Sequence, residues 1–179
     1  TISSDELARR GGTTSAQVRK DLSFFGSFGK RGLGYGVAEL RSRIREILGL
    51  EPEWRVIIVG AGKIGAALAD YRGLRQRGFE VLAIYDSDPA KIGRAWSGST
   101  VRDVARLEKD AGELRPDMAI LTVPAAEAQR VVDRIVKAGI KGILNFAPVQ
   151  LHSPADVTIR TVNMAMELEG LTFALTNRE

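Results

Sequence analysis

The chain has 179 residues, of which 44% are hydrophobic and 27% charged, a composition that permits one sizeable globular domain and a smaller one. It contains no cysteine, which excludes disulfides, a thiolate nucleophile and cysteine-based metal sites. The net charge of +4 lies entirely in residues 1–50, which hold nine Lys or Arg and five Asp or Glu. This asymmetry predicts a polyanionic partner for the N-terminal part.

No apolar run approaches the roughly 20 residues that a membrane-spanning helix needs. No signal peptide is visible, and the lack of cysteine fits a reducing compartment. We therefore expect a cytoplasmic protein without a membrane partner.

The first part of the chain predicts two short helices separated by a tight turn. Ser3 and Glu6 have the spacing of a capping box, and Thr14 and Gln17 repeat that spacing at the start of the second helix. A glycine pair breaks the chain between them. This arrangement indicates a helix-turn-helix, whose second helix enters a DNA major groove.

The second helix has an apolar and a polar side. Val18, Leu22 and Phe25 recur with helical spacing and predict a buried stripe. On the other side, Lys20 is expected to reach base edges while Arg19 holds a phosphate. The residues of this helix predicted to contact DNA are Ser15, Gln17, Arg19, Lys20, Ser23 and Phe24.

Residues 27–36 contain four glycines, two aromatic residues and two adjacent cations. Alone, such a segment is more often an ordinary glycine-rich loop. Directly after a helix-turn-helix it favours a basic hairpin, the wing of a winged helix domain. Lys30, Arg31 and Gly32 would then contact DNA from the tip of the wing.

A third helix is predicted from Val37 to Leu48, and the segment Glu51-Pro52-Glu53 indicates a linker. The helices up to this point bury too little apolar surface for a complete domain. A helix-turn-helix also normally rests on a helix that precedes it. We therefore expect residues 1–50 to be a winged helix-turn-helix domain whose first helix is missing from this sequence.

The stretch from Arg55 to Asp86 predicts a strand, a glycine turn, a helix and a second strand. A β-branched run leads into a G-x-G-x-x-G turn, Gly60-Ala61-Gly62-Lys63-Ile64-Gly65. The glycines permit a tight turn and the approach of a pyrophosphate to the helix start. Asp86 follows the last glycine by 21 residues and is placed to accept hydrogen bonds from an adenosine ribose. The less favoured interpretation is a packing turn that binds nothing.

Beyond Asp86, a helix is predicted over residues 101–109, followed by alternating strands and helices. The strands are expected at residues 117–123, 140–146 and 157–161, and the helices at 125–138 and 163–175. This order indicates an α/β fold, a Rossmann-type doubly wound parallel sheet over residues 51–161. Residues 162–179 then form a C-terminal helix.

Ligands of such sheets lie beyond the carboxyl ends of the strands. Three of the predicted loops meet there, over residues 60–65, 122–124 and 145–148. Asp86 favours NAD(H) over NADP(H), because a carboxylate repels a 2′-phosphate, although Lys91 and Arg94 are close enough in sequence to complicate this preference. The apolar loop over residues 146–148 favours NADH over the positively charged NAD+. The residues predicted to bind the cofactor are Gly60, Ala61, Gly62, Lys63, Ile64, Gly65, Asp86, Ser87, Lys91, Thr122, Val123, Pro124, Asn145, Phe146, Ala147 and Pro148.

The predicted site lacks an obvious catalytic group. A dehydrogenase needs a general acid or base, and His152, the only histidine, is predicted to lie in a loop. A cofactor site without catalytic groups suggests that the cofactor is itself the signal, so we assign no catalytic or metal residue and expect no enzyme. A small NAD-dependent oxidoreductase and a CoA- or nucleotide-binding regulatory module stay open as alternatives.

A basic helix-turn-helix with a wing, joined to an NAD(H) domain, resembles the Rex family of redox-sensing transcriptional repressors. The most specific parts of the resemblance are residues 17–23 (QVRKDLS), 29–35 (GKRGLGY) and 142–148 (GILNFAP). The resemblance implies a homodimer that binds an inverted-repeat operator when NAD+ dominates and releases it when NADH binds. It also implies that the last helix swaps onto the partner subunit's cofactor domain and serves dimerisation.

The resemblance further implies a switch. Tyr71 matches a tyrosine of that switch, and Asn163 stands where the family typically has aspartate. The arginine that completes the switch would lie on the missing first helix. Asn163 can still accept and donate hydrogen bonds, but it cannot form the charge pair.

Overall fold

The computed structural model describes residues 1–29 and 32–177. The chain forms two compact units, one over Thr1–Pro52 and a second that begins at Glu53. Lys30 and Arg31, the predicted tip of the wing, lie outside the described residues.

The first unit contains three helices, α1 (Ser4–Gly11), α2 (Ser15–Ser23) and α3 (Val37–Ile47). α1 and α2 contact each other across the predicted turn. Gly12 ends α1 in a left-handed conformation with φ of 64°, which glycine adopts without strain. The predicted helix-turn-helix is therefore present.

Side chains cap the starts of α1 and α2. The Ser3 hydroxyl accepts a hydrogen bond from the Glu6 N–H at 3.1 Å, and the Thr14 hydroxyl accepts one from the Gln17 N–H at 3.2 Å. The second half of the first predicted capping box is replaced, because the Glu6 carboxylate accepts from Arg10 Nε at 2.6 Å. Glu6 therefore pairs with Arg10, one helical turn further along α1, and does not form the reciprocal cap with Ser3.

The predicted buried stripe of α2 is wrong at its C-terminal end. Val18 and Leu22 are half-buried, whereas 54% of Phe25 is exposed. The reason is that α2 ends at Ser23, so Phe25 no longer follows the helical period. Within α3, Leu40 is the buried residue. The core of this unit is accordingly small.

The segment predicted as a wing returns to the start of the chain. Ile2 and Tyr35 form an antiparallel bridge in which each N–H donates to the other residue's carbonyl oxygen at 2.8 Å. This bridge anchors the returning arm of the segment on the residue that precedes α1. Gly32 of this segment is exposed.

The second unit is built on a seven-stranded sheet. The second, third and fourth strands lie on one side of the first strand, and the fifth to seventh strands lie on its other side. The change of side creates a topological switch point, where dinucleotides bind in sheets of this kind. The order is β3-β4-β2-β1-β5-β6-β7, and every neighbouring pair except β3–β4 is parallel. The strands are β1 (Trp54–Val59), β2 (Phe79–Asp86), β3 (Ala95–Trp96), β4 (Ser99–Asp103), β5 (Met118–Leu121), β6 (Gly142–Asn145) and β7 (Thr158–Thr161).

Helices cover both faces of the central strands. Val132 and Ile135 of α7 pack in the core on one face, and Leu68 of α4 and Leu74 of α5 pack in the core on the other. A parallel sheet buried on both faces confirms the predicted doubly wound α/β fold. The helices of this unit are α4 (Lys63–Asp70), α5 (Arg72–Gln76), α6 (Leu107–Leu114), α7 (Ala125–Lys137) and α8 (Met164–Thr176).

The predicted helix over residues 101–109 is wrong. Val101 is buried in β4, which pairs with β2, and α6 begins only at Leu107. Asp103 separates the two elements, because its carboxylate accepts from the Ala105 N–H at 2.8 Å and starts a short 3-10 turn. α5 and the two-residue strand β3 were not predicted.

A buried polar cluster joins β2, β4 and α6. The carboxylate of Asp110, which is 2% exposed, accepts from the Tyr85 hydroxyl at 3.1 Å and from Arg102 Nη1 at 2.9 Å. Burial and the adjacent Asp110 charge raise the pKa of Tyr85 to about 12. Burial opposes the charge of Asp110, but hydrogen bonds from Arg102 and Tyr85 lower its pKa overall. The cluster is thus internally neutralised.

No helix within residues 1–29 and 32–177 is long and apolar enough to cross a membrane. The same part of the chain contains no group of three His, Asp or Glu side chains that could hold a metal ion.

Candidate dinucleotide and DNA sites

A cleft of about 560 Å³ opens at the carboxyl ends of β1, β2 and β5. Val59 of β1 lines it, together with Asp86 and Ser87 at the end of β2 and Val123 and Pro124 after β5. All but Val59 are predicted cofactor residues. The cleft therefore brings the end of β2 and the predicted loop after β5 together, whereas none of residues 60–65 of the glycine turn lines it.

The glycine turn packs tightly against the end of β5. Gly60 has φ of 112°, and a Cβ atom placed on it would lie 2.6 Å from the Thr122 carbonyl oxygen. A Cβ atom on Gly65 would overlap the Gly60 carbonyl oxygen. Gly62 differs, because no described atom lies within 4 Å of a Cβ atom at that position. Two glycines thus close the turn, while the third leaves room for a ligand.

The start of α4 faces this open space. The helix begins directly after Gly62, and no side chain of the described residues caps it. The first N–H groups of a helix lack intrahelical partners, and its dipole attracts anions. Lys63 and Ile64 are exposed here, and the first turn of α4 contains no acidic residue. These residues fit the pyrophosphate of a dinucleotide.

Thr122 and Ala61 support the turn from inside. The Thr122 hydroxyl donates to the Gly60 carbonyl oxygen at 2.7 Å. Ala61 is 1% exposed, and its N–H donates to Asp86 Oδ2 at 2.8 Å. Both are predicted cofactor residues, and both hold the glycine turn in place within the protein.

Asp86 is oriented by three donors. Its Oδ2 accepts from the Ala61 N–H and from Lys91 Nζ, at 2.8 and 3.1 Å, and its Oδ1 accepts from the Asp88 N–H at 2.9 Å. Burial opposes the charge, but the hydrogen bonds from Asp88, Lys91 and Ala61 outweigh burial and lower the pKa of Asp86. The carboxylate is therefore ionised at neutral pH and held in position by the protein itself.

The loop after β6 is a self-contained turn. Asn145 is fully buried, with its Nδ2 donating to the Ala147 carbonyl oxygen at 3.0 Å and to the Thr161 hydroxyl at 3.3 Å, and its Oδ1 accepting from the Ala147 N–H at 2.8 Å. Phe146 packs against the core, and Pro148 is exposed. The lining of the 560 Å³ cleft includes none of the four predicted residues of this described loop. The Asn145 side chain shapes the loop through these hydrogen bonds.

The far wall of the cleft consists of residues that the sequence analysis did not single out. Val104 follows β4, and Glu108 of α6 forms an ion pair with Arg134 of α7, with 2.8 Å between Oε2 and Nη2. The hydrogen bond from Arg134 lowers the pKa of Glu108. Val131 lies one helical turn before Arg134 in α7, so the helical periodicity of this segment could have predicted that both residues share one face. Val104 and Glu108 were missed because the predicted helix over residues 101–109 begins before the observed start of α6 at Leu107.

Three further predictions concern side chains outside the cleft. Tyr71 lies between α4 and α5 and is 59% exposed. Asn163 is the N-cap of α8, where its side-chain oxygen accepts from the N–H groups of Ala165 and Met166 at 3.1 and 3.3 Å. His152 lies in an exposed loop, as predicted.

The polar side of α2 is exposed, with Ser15 half-buried. The Gln17 amide donates to Asp21 at 2.6 Å, and the Ser23 hydroxyl donates to the Lys20 carbonyl oxygen at 2.6 Å. Two of the predicted DNA contacts are thus engaged within the helix. The exposed Lys20 ammonium has no side-chain partner in the described part of the chain.

Arg19 connects α2 to the start of α1. Its Nη1 donates to the Ser4 hydroxyl at 2.9 Å. This hydrogen bond directs the guanidinium toward the N-terminus of α1 and leaves its other N–H groups to solvent or to a phosphate. Phe24, 72% exposed, follows directly after the end of the helix.

Known proteins match both units. Residues 51–149 match the family described as CoA binding domain, and residues 1–23 match that described as putative DNA-binding protein N-terminus. The redox-sensing transcriptional repressor Rex 1 of Thermotoga maritima is 48% identical over 178 residues, which cover 99% of this chain and 85% of that protein. The chain belongs to the Rex family of redox-sensing transcriptional repressors.

Solved Rex structures resemble it closely. The crystal structure of RSP in complex with β-NAD+ and operator DNA is 39% identical, with a TM-score of 0.92 over 97% of this chain and 80% of that chain. RSP in complex with β-NADH is 37% identical, with a TM-score of 0.84 over 97% and 81%. The predicted family is confirmed, and the Thermotoga relative is named as a repressor and not as an enzyme, in agreement with the expectation.

The open space at Gly62 generates the first prediction. We expect Gly62→Ala to leave the free energy of unfolding nearly unchanged, because the new methyl group meets no protein atom and the native φ of −92° suits alanine. The same methyl group would project toward the pyrophosphate and weaken NADH binding about tenfold or more. Urea denaturation and titration calorimetry measure the two effects.

Gly112→Ala on α6 is the matched control, since a Cβ atom there also meets nothing described within 4 Å. Gly112→Ala should not lower the free energy of unfolding, and it should leave NADH affinity unchanged. Unaltered NADH affinity in Gly62→Ala would show that the pyrophosphate does not pass over this position.

Proposed function

We propose that this Rex family member represses transcription by binding operator DNA as a homodimer and that NADH releases it. One observation carries the proposal: the same chain joins a helix-turn-helix with a free Lys20 to a pyrophosphate cradle at Gly62. The complexes of RSP with β-NAD+, operator DNA and β-NADH support the choice of ligands. A protein that acts on DNA in this way works in the cytoplasm.

For the domains, we assign residues 1–50 to a winged helix-turn-helix, 51–161 to cofactor binding and 162–179 to dimerisation. In the first, the Lys20 ammonium reads base edges, while Arg19, directed by Ser4, holds a backbone phosphate. The net charge of +4 on these fifty residues attracts the polyanion.

In the cofactor domain, the residues near the nicotinamide end select the reduced form. Val123 and Pro124 line the cleft and Pro148 is exposed, so all three offer apolar surface. The reduced ring is uncharged, whereas the oxidised ring carries a positive charge that is costly to bury without a partner. About 1.4 kcal/mol of such a penalty suffices for a tenfold difference in affinity.

The dimerisation proposal rests on α8. Its apolar side chains are exposed, for example Leu168 by 62% and Phe173 by 72%, and none of its residues is buried. Exposed apolar area of this extent indicates a partner surface. The cofactor domain also offers a matching apolar groove.

This groove has a volume of about 570 Å³ and lies over the face of β5, β6 and β7. Met118, Ile120 and Leu144 form its floor, and the cations Lys141 and Arg160 lie on its lining. α8 carries two acidic residues, Glu167 and Glu169. The α8 helix of a second copy therefore complements the groove in both hydrophobicity and charge.

The main test is an operator titration with the full-length protein, on a sequence selected by that protein from random DNA. Operator affinity should persist with NAD+ and fall steeply with NADH, because a ligand shifts an equilibrium only through its differential affinity for the two states. Release by CoA or ATP in place of NADH would favour a nucleotide-binding regulatory module. Steady hydride transfer to a carbonyl compound would favour an oxidoreductase.

The second prediction separates base reading from phosphate binding. Lys20→Ala should weaken operator binding by about 1–3 kcal/mol while leaving binding to random DNA nearly intact. Arg19→Ala should weaken both and reduce the salt dependence by about one ion. Arg43→Ala, which removes an exposed cation of α3, is the control. Equal losses on operator and random DNA for Lys20→Ala would refute its role in base reading.

The third prediction concerns the dimer. Phe173→Asp places a charge on the exposed apolar surface of α8 and should shift the protein from dimer to monomer in analytical ultracentrifugation. Leu33→Asp, at an apolar side chain of the first unit that is 67% exposed, should leave the dimer intact. A Phe173→Asp variant that remains fully dimeric would exclude α8 from the interface.

A further inference from the structure

The loop after β6 contains an exposed arch, residues 148–150, between two anchored residues. On one side of the arch, Ala147 is buried, and both its N–H and its carbonyl oxygen are hydrogen bonded to the Asn145 side chain, at 2.8 and 3.0 Å. On the other side, Leu151 packs against the core. The three residues of the arch therefore project from two fixed points.

The far end of the arch is also fixed by a side chain of α7. Gln129 Nε2 donates to the His152 carbonyl oxygen at 3.0 Å, and Gln129 Oε1 accepts from the His152 N–H at 2.9 Å. The amide and the backbone thus exchange two hydrogen bonds, as paired residues of antiparallel strands do. Gln129 Nε2 also donates to Asp133 at 2.9 Å, one helical turn further along, which orients the amide for this contact.

These contacts hold the arch beside the end of β5. The Phe146 N–H donates to the Leu121 carbonyl oxygen at 2.8 Å, which ties the start of the loop to the last residue of β5. Gln129 lies one helical turn after Ala125, the first residue of α7. Pro124, which lines the 560 Å³ cleft, directly precedes that helix. The arch is therefore fixed at both ends to elements that build the cleft wall.

We propose that Gln129 is a positioning residue for the nicotinamide end of the cofactor. It holds the arch so that the exposed Pro148 presents apolar surface to the ring. Gln129 does not itself line the cleft and acts through the backbone of His152. A loop that is ordered before the ligand arrives strengthens binding, because the free energy of ordering it is not subtracted from the affinity. This inference rests on the proposed NAD(H) binding.

Titration calorimetry of the full-length protein with NADH and with ADP-ribose, which lacks the nicotinamide ring, tests this inference. Gln129→Met keeps the length of the side chain and removes its donor and acceptor. NADH affinity should fall about tenfold, because binding must then order the arch. ADP-ribose affinity should change by less than about twofold, since this ligand does not reach the arch.

His152→Ala is the matched control, because both contacts to Gln129 use the backbone groups of His152. This variant should leave both affinities unchanged. If urea denaturation shows that Gln129→Met does not fold, Gln129→Glu, which keeps the acceptor for the His152 N–H, takes the same titrations and should lose NADH affinity selectively.

Equal losses of NADH and ADP-ribose affinity in the Gln129 variant would indicate a general structural role and overturn the inference, as would an unchanged NADH affinity. Wild-type protein that binds ADP-ribose as tightly as NADH would also overturn it, because the nicotinamide would then gain nothing from the arch. If wild type binds neither ligand, the proposed NAD(H) function itself fails.

Discussion

The cofactor site depends on the close approach of the glycine turn to the end of β5. The Thr122 hydroxyl donates to the Gly60 carbonyl oxygen at 2.7 Å, and any side chain at Gly60 or Gly65 would push these elements apart. This contact sets where α4 begins and therefore where its free N–H groups point. It also places the Ala61 N–H within reach of Asp86. A single backbone approach thus positions both the phosphate end and the ribose end of the site.

The end of β2 is also held in place by hydrogen bonds. The Gly60 N–H donates to the Tyr85 carbonyl oxygen at 2.7 Å, while the Tyr85 hydroxyl reaches the buried Asp110. Because Arg102 completes the cluster, the strand is tied to β4 and α6 beneath the site. Asp86 follows Tyr85 directly, so the backbone that carries its carboxylate is held by the same hydrogen bonds. The cost of burying these polar groups is offset by their mutual hydrogen bonds, and the result is an oriented acid rather than a mobile one.

The sequence predicted the features that neighbouring residues determine. The glycine turn, the caps at Ser3 and Thr14 and the position of Asp86 depend on local spacing, and each is present. Prediction failed where distant contacts decide. β4 was taken for a helix because its pairing with β2 leaves no periodic signal in five residues. The hydrogen bonds of the Asn145 amide inside its own loop were not predicted either, since nothing in its local sequence indicates them. The residues of the far wall of the cleft were not predicted for the same reason, because Glu108 and Arg134 are distant in sequence and come into contact only in the folded unit.

The position of Asn145 links the loop after β6 to α8. Its carbonyl oxygen accepts from the Val162 N–H at 2.8 Å, and its side chain donates to Thr161, the last residue of β7. Asn163 follows at once and caps α8. In the proposed repressor, any shift of this loop on nicotinamide binding is therefore transmitted through three consecutive residues to the start of the helix that meets the partner. Since half-site spacing on DNA is set by dimer geometry, these three residues are the path by which the proposed repressor couples the redox state of the cofactor to operator binding.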